Sequence, residues 1–119
     1  MIEIQNQKRY DLEERTLVFT QDVISFTQKL TKNIANIEII KQLVRSAGSI
    51  GANYIEANES FSKKDFILRI KICRREAKET IYWLKLLVIL ESQEEERRKL
   101  IQEATELMKI FGSIVEKSK

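Results

Sequence analysis

Histidine and proline are both absent from this sequence of 119 residues, which has one cysteine and only three glycines. Without histidine the usual general base is missing, and the lone Cys73 has no Cys/His or Ser/His pair in which to act as a nucleophile. Zinc sites fail on the same count, as does a di-iron carboxylate bundle, whose Glu-x-x-His motifs need histidine. The composition points to a non-enzymatic protein with no metal, no cofactor and no small-molecule substrate. A single cysteine cannot close an intrachain disulfide, and Cys73 falls on an apolar stripe, where a free thiol behaves as a small hydrophobe. The shortage of proline and glycine argues against sandwiches and barrels and for helices. No long apolar run exists: the longest is Leu86 to Leu90, far too short to span a bilayer. The opening MIEIQNQKRYDLEERT lacks the apolar core of a signal peptide, so a cytoplasmic chain without membrane contact is expected.

What is present is amphipathic helix. The length suits one domain over residues 1–119, with no repeat or low-complexity segment. The stretch from Ser62 to Leu90 organises the rest. At 100° per residue, Phe66, Ile70, Cys73, Ala77, Thr80, Ile81, Leu84 and Leu87 share a core arc. A second apolar arc holds Leu68, Ile72, Trp83, Leu86 and Leu90, with Glu79 among them and Glu76 on its border. One bundle core cannot cover both arcs, so the second is read as an oligomer interface. The third arc carries Lys64, Lys71, Arg74, Arg75, Lys78 and Lys85 around Tyr82, without an acidic residue. Net charge is only +3, and this clustering says more about anionic partners than the total does.

The remaining segments supply partners for that helix. Residues 1 to about 9 are polar and unpatterned and are expected to fray or drape over a neighbour. From Tyr10, a seam of Leu12, Thr16, Phe19, Val23, Phe26 and Leu30 marks a first helix to about residue 31, with Leu17, Val18 and Ile24 outside it. A turn with two asparagines precedes a second helix over about 36–58, facing inward with Ile40, Leu43, Val44, Ala47, Ile50, Gly51, Tyr54 and Ile55. Its run of small residues, RSAGSIGAN, implies close approach of a neighbouring backbone or a bulky side chain such as Trp83 or Phe66. Arg45, Ser49, Asn53 and Glu56 lie on its other side, as a solvated face or as a polar subunit contact in which Glu56 pairs with an arginine and Asn53 bonds across the interface. The third helix, about 63–90, opens on Ser62 with Asp65 three residues on. The fourth, about 93–116, opens on Ser92 with Glu95, and both openings resemble capping boxes. Leu100, Ile101, Ala104, Leu107, Met108, Phe111, Ile114 and Val115 form its buried face. The pattern predicts an all-α, antiparallel up-down four-helix bundle.

Two further signals have structural readings. Gly48-Ser49-Ile50-Gly51 matches a G-x-x-G loop only formally, since that module needs surrounding strands and none is patterned here. Glu76 and Glu79 read as ion-pair partners, with Arg75 placed to meet Glu79 at i, i+4.

RSAGSIGANYIEA, SKKDF and REAKETIYWLKLL together resemble the bacterial four-helix-bundle family named for proteins encoded in 23S rRNA intervening sequences. The resemblance extends from about Leu12 to Val115. The family's Ser-Ile-x-x-Asn-x-x-Glu pattern falls on Ser49, Ile50, Asn53 and Glu56, and its Glu-Ala-x-Glu-Thr-x-Tyr-Trp-Leu pattern on Glu76, Ala77, Glu79, Thr80, Tyr82, Trp83 and Leu84. Ala57 stands where many members have glycine, and Arg74-Arg75 makes the second motif more basic than usual. The resemblance implies a homopentamer, and related accessory proteins of diversity-generating retroelements bind nucleic acid and a reverse transcriptase. The expected function is a non-enzymatic homo-oligomer binding RNA or other nucleic acid through the basic arc. The alternative is a structural adaptor docking an acidic protein.

Overall fold

The computed structural model describes the backbone of residues 2–119 and the side chains of residues 12–119. Four helices follow in order: α1 (Ile2–Gln28), α2 (Ile34–Asn58), α3 (Lys63–Leu86) and α4 (Glu94–Ser118), the last preceded by a short 3-10 turn at Glu91–Gln93. No strand occurs among the described residues. α3 packs most extensively, against α2 and α4, while α1 lies against α2 and touches α4 least. Helical backbone extends back to Ile2, before the expected start at Tyr10. Whether residues 1 to 9 drape over a neighbour lies outside the described side chains.

Side chains set where the helices begin and end. The Asn33 side chain accepts from the Asn36 N–H at 2.8 Å and so caps α2, while Ser62 accepts from the Asp65 N–H at 3.1 Å and caps α3. Each satisfies a first-turn donor that has no intrahelical partner. At the C-terminus of α1, the Lys32 ammonium donates to the Thr27 and Leu30 carbonyls. The Arg97 guanidinium does the same for α3, donating to the carbonyls of Leu84 and Leu87. Cations there complement the negative end of the helix dipole.

These contacts correct two boundaries. α3 stops at Leu86, four residues short of the expected Leu90, because the extended segment after it is held from outside the helix. Asn36, fully buried, accepts from the Val88 N–H at 2.9 Å and donates to the carbonyls of Val88 at 2.8 Å and Thr31 at 3.0 Å. Ser92 does not cap α4. The chain begins to wind at Glu91, and the Gln93 side chain accepts from the Leu90 N–H and donates to the Lys29 carbonyl. Glu94, Glu95 and Glu96 supply the negative charge of the first turn of α4.

Phe19, Val23, Phe26, Leu43, Ile50, Ile70, Leu84, Leu107, Phe111 and Val115 form the middle of the core, each contributing about 1.5–3 kcal/mol by leaving water. Tyr54 of α2 meets Phe111 of α4 with ring centroids 5.8 Å apart. Ile55, expected inside, is 52% exposed. Cys73 is buried with its thiol 3.4 Å from the Ile50 carbonyl, and desolvation raises its pKa to about 12 despite the opposing effects of a backbone hydrogen bond and Arg69. Such a thiol is inert as a nucleophile.

The close approach implied by the small residues of α2 is made at Gly51 by Thr16 of α1, not by Trp83 or Phe66. A Cβ on Gly51 would stand 2.9 Å from Thr16 Oγ1 and 3.2 Å from Thr16 Cβ, so only glycine fits. Nearby, the Thr20 hydroxyl lies 3.1 Å from the Ala47 carbonyl across the same contact. A methyl group on Gly48, by contrast, would meet nothing within 4 Å. Gly51→Ala is expected to lower the melting temperature. Overpacking costs roughly 1–3 kcal/mol, and the gain in helix propensity, about 1 kcal/mol, offsets it only in part. Asn36→Ala is expected to cost about 2–3 kcal/mol in denaturant unfolding, near 1 kcal/mol for each hydrogen bond lost, with helix content retained.

Candidate nucleic-acid interface

The outer flank of α3 facing α4 is an open groove of about 790 Å³ lined by Leu68, Lys71, Ile72, Arg74, Arg75, Lys78, Met108 and Lys109. The Arg74 stem lies against α4: its Cδ is 3.6 Å from where a Gly112 Cβ would be, an ordinary van der Waals separation. Toward the start of α3 a second hollow of about 500 Å³ is lined by Lys63, Lys64, Asp65, Ile67, Leu68 and Lys71. Lys85 is exposed in the last turn and lines neither. The structure thus brings Lys71, Arg74, Arg75 and Lys78 together and joins Lys64 to them through Lys71.

Several cations elsewhere are neutralised by carboxylates. Between α1 and α4, Arg15 forms a two-pronged contact with Glu103 at 2.7 and 2.8 Å and Lys29 pairs with Glu96, while within α4 Arg97 and Arg98 pair with Glu94 and Glu95. Among the described residues no carboxylate pairs with Lys64, Lys71, Arg74, Lys78, Lys85 or Lys109, and Arg75 reaches only Glu76 at 3.8 Å. Sequence periodicity could not reveal Lys109, which reaches the groove from another helix.

Leu68 and Ile72 line the same groove as the cations, so the second apolar arc and the basic arc adjoin. Leu68 is 56% and Leu86 42% exposed, while Ile72 and Trp83 are half-buried. Leu90, assigned to this arc, is exposed but lies off the helix, in the segment that Asn36 and Gln93 hold. α2 has an exposed apolar strip that the sequence pattern did not single out. Ile37, Val44 and Ile55 fall within a narrow arc at 100° per residue, with Ile37 and Ile55 exposed and Val44 half-buried.

Between α2 and α3 runs a polar seam. Arg45 Nη2 lies 2.6 Å from Glu79 Oε1, and the same oxygen accepts from Trp83 Nε1–H at 3.0 Å. Arg75 therefore does not meet Glu79, as helix spacing suggested; Arg45 of α2 takes that place. Asn53 donates to the Ser49 carbonyl and accepts from Arg69 at 3.0 Å, so its bonds lie within the chain. Glu56 is exposed, and no arginine pairs with it among the described residues. Glu76 is 7% exposed. Its Oε1 makes no hydrogen bond, with Arg45 Nη1 the nearest cation at 3.5 Å. Of the interface residues expected from the sequence, Asn53, Glu76, Glu79 and Trp83 lie in this seam and Leu68, Ile72 and Leu86 on the apolar strip beside it, whereas Leu90 lies off the helix and Glu56 is exposed without joining the seam.

No group of three or more metal-binding side chains occurs among the described residues, and no described helix is long and apolar enough to cross a membrane. No match is found among curated proteins. Among solved structures, a protein of unknown function from the S23 ribosomal protein family of Bacteroides thetaiotaomicron VPI-5482 is 32% identical, with a TM-score of 0.79 over 92% of this chain and 98% of the other. The family model for the 23S rRNA-intervening sequence protein matches residues 8–113. With that match over most of its length and the four helices observed, the chain belongs to the 23S rRNA-intervening sequence protein family.

Proposed function

We propose that this protein is a non-enzymatic, antiparallel up-down bundle that assembles with copies of itself and binds RNA, or nucleic acid generally, through the α3–α4 groove. The observation that carries the reading is the clustering of four cations in one groove, Lys71, Arg74, Lys78 and Lys109, none of which has a carboxylate partner among the described residues. They carry positive charge but no base-reading amides, so they suit phosphates and binding with little sequence preference. Each neutralised phosphate releases condensed counterions, and affinity falls steeply with salt.

Assembly is supported by the exposed strips on α3 and α2, which differ in sequence and lie on different helices. Two unlike faces suit a head-to-tail ring better than a two-fold dimer; by resemblance to the family the ring is a homopentamer. A ring repeats the basic groove once per subunit, and one polyanion reaching several grooves binds with far greater avidity than any single site provides. The apolar floor of Leu68, Ile72 and Met108 favours a second reading, an adaptor docking an acidic protein segment, in which the same cations meet carboxylates.

Arg74→Glu combined with Lys78→Glu is expected to abolish the gel shift of RNA while helix content and assembled mass stay unchanged. Retained RNA affinity with an unchanged salt slope would leave the adaptor as the better reading. Trp83→Ala is expected to lower the assembled mass seen by light scattering, since Trp83 borders the exposed strip. Leu84→Ala is expected instead to lower subunit stability by roughly 2–5 kcal/mol, the cost of truncating a fully buried leucine. Equal loss of thermal stability with both variants still assembled would overturn the division of α3 into these faces.

A further inference from the structure

Phe61 is the one phenylalanine of five that packs on nothing. Phe19, Phe26 and Phe111 are buried and Phe66 is half-buried, whereas Phe61 is 104% exposed. It stands in the α2–α3 connection, which is pinned on both sides. The Ser60 N–H donates to the Ala57 carbonyl at 3.1 Å, its hydroxyl donates to the Glu56 carbonyl, and Ser62 caps α3. The ring is therefore presented on a short, fixed turn.

The same turn leads into the row of cations. Lys63 and Lys64 open α3 and share their hollow with Lys71, which in turn lines the larger groove with Lys78. Lys64, Lys71 and Lys78 recur every seven residues, so the row advances along one side of α3 by roughly 21 Å at 1.5 Å per residue. An aromatic face at one end of a line of cations matches an anionic polymer that carries flat rings.

We propose that Phe61 stacks on an unpaired base, which makes the ligand of the basic flank a nucleic acid with single-stranded segments rather than a regular duplex. This rests on the reading of that flank as a phosphate-binding surface. In a duplex each base is already stacked and offers no free face, whereas single strands and loops can place a base on an aromatic side chain. Phenylalanine has no hydrogen-bonding group, so the contact is tolerant of base identity. A lipid surface fits less well. It would meet the end of the bundle as a plane, where Glu59 and Asp65 are also exposed, while the cations run away from that end along the helix.

The test measures fluorescence anisotropy of three labelled probes with the full chain: an unstructured RNA, a duplex RNA and an abasic strand. Phe61→Ala should weaken binding of the unstructured RNA at least about fivefold, the low end of what loss of one stacking aromatic produces. It should leave the duplex and the abasic strand unchanged, and Phe61→Trp should restore single-strand affinity. Unchanged single-strand affinity in Phe61→Ala, or equal loss on all three probes, would overturn the stacking role. The Arg74→Glu, Lys78→Glu variant keeps the two ideas separable. If it loses every probe while Phe61→Ala loses none, phosphate binding stands and stacking falls; if it binds as the native chain does, the reading beneath both falls. Phe61-dependent sedimentation with vesicles of phosphatidylcholine and phosphatidylserine, with RNA affinity unaffected, would assign the ring to a membrane and refute the proposal.

Discussion

One buried amide holds together the end of the bundle where both long connections meet. Asn36 lies in the first turn of α2, yet its side chain satisfies both backbone groups of Val88 and reaches the Thr31 carbonyl. A buried polar group without partners would destabilise the fold; with all three bonds in place, it ties the α1–α2 turn to the α3–α4 connection. Gln93 and Arg97 extend the arrangement by binding the Lys29 carbonyl and the last carbonyls of α3. The lengths of α3 and α4 and the exposure of Val88 and Leu90 follow from these contacts more than from helix propensity.

The limits of sequence reading show at the same place. The apolar stripes of all four helices could be read because period and burial are linked, and Phe19, Val23, Ile70, Leu84, Leu107 and Phe111 lie where the period put them. The Ser62 cap was legible because its chemistry is local. Leu87 to Leu90 continues a helical apolar pattern, and nothing within it announces an asparagine fifty residues earlier in the chain. Gly51 signalled close approach, but only the three-dimensional structure names Thr16 as the neighbour.

The candidate site divides in the same way. A single helix wheel revealed the cations of α3, whereas Lys109 and the Arg74–Gly112 contact need the facing helix in place. Spacing on one helix also assigned Glu79 to Arg75, when Arg45 on α2 lies closer. The wheel could not show which cations are neutralised either. For Arg15 and Lys29 of α1 that distinction depends on acids from α4, which do not reach the cations on the flank of α3.

The contact between Gly51 and Thr16 has a mechanical consequence. Helices joined through long, flexible side chains can slide or roll by exchanging rotamers, but here a backbone without a Cβ meets a short, branched side chain whose hydroxyl lies against its own helix carbonyls at Leu12 and Glu13. Rolling α1 by one residue would bring Arg15 or Leu17 to a space that barely admits a threonine. The Gly51–Thr16 contact therefore acts as a key that sets the rotation and register of α1 on α2.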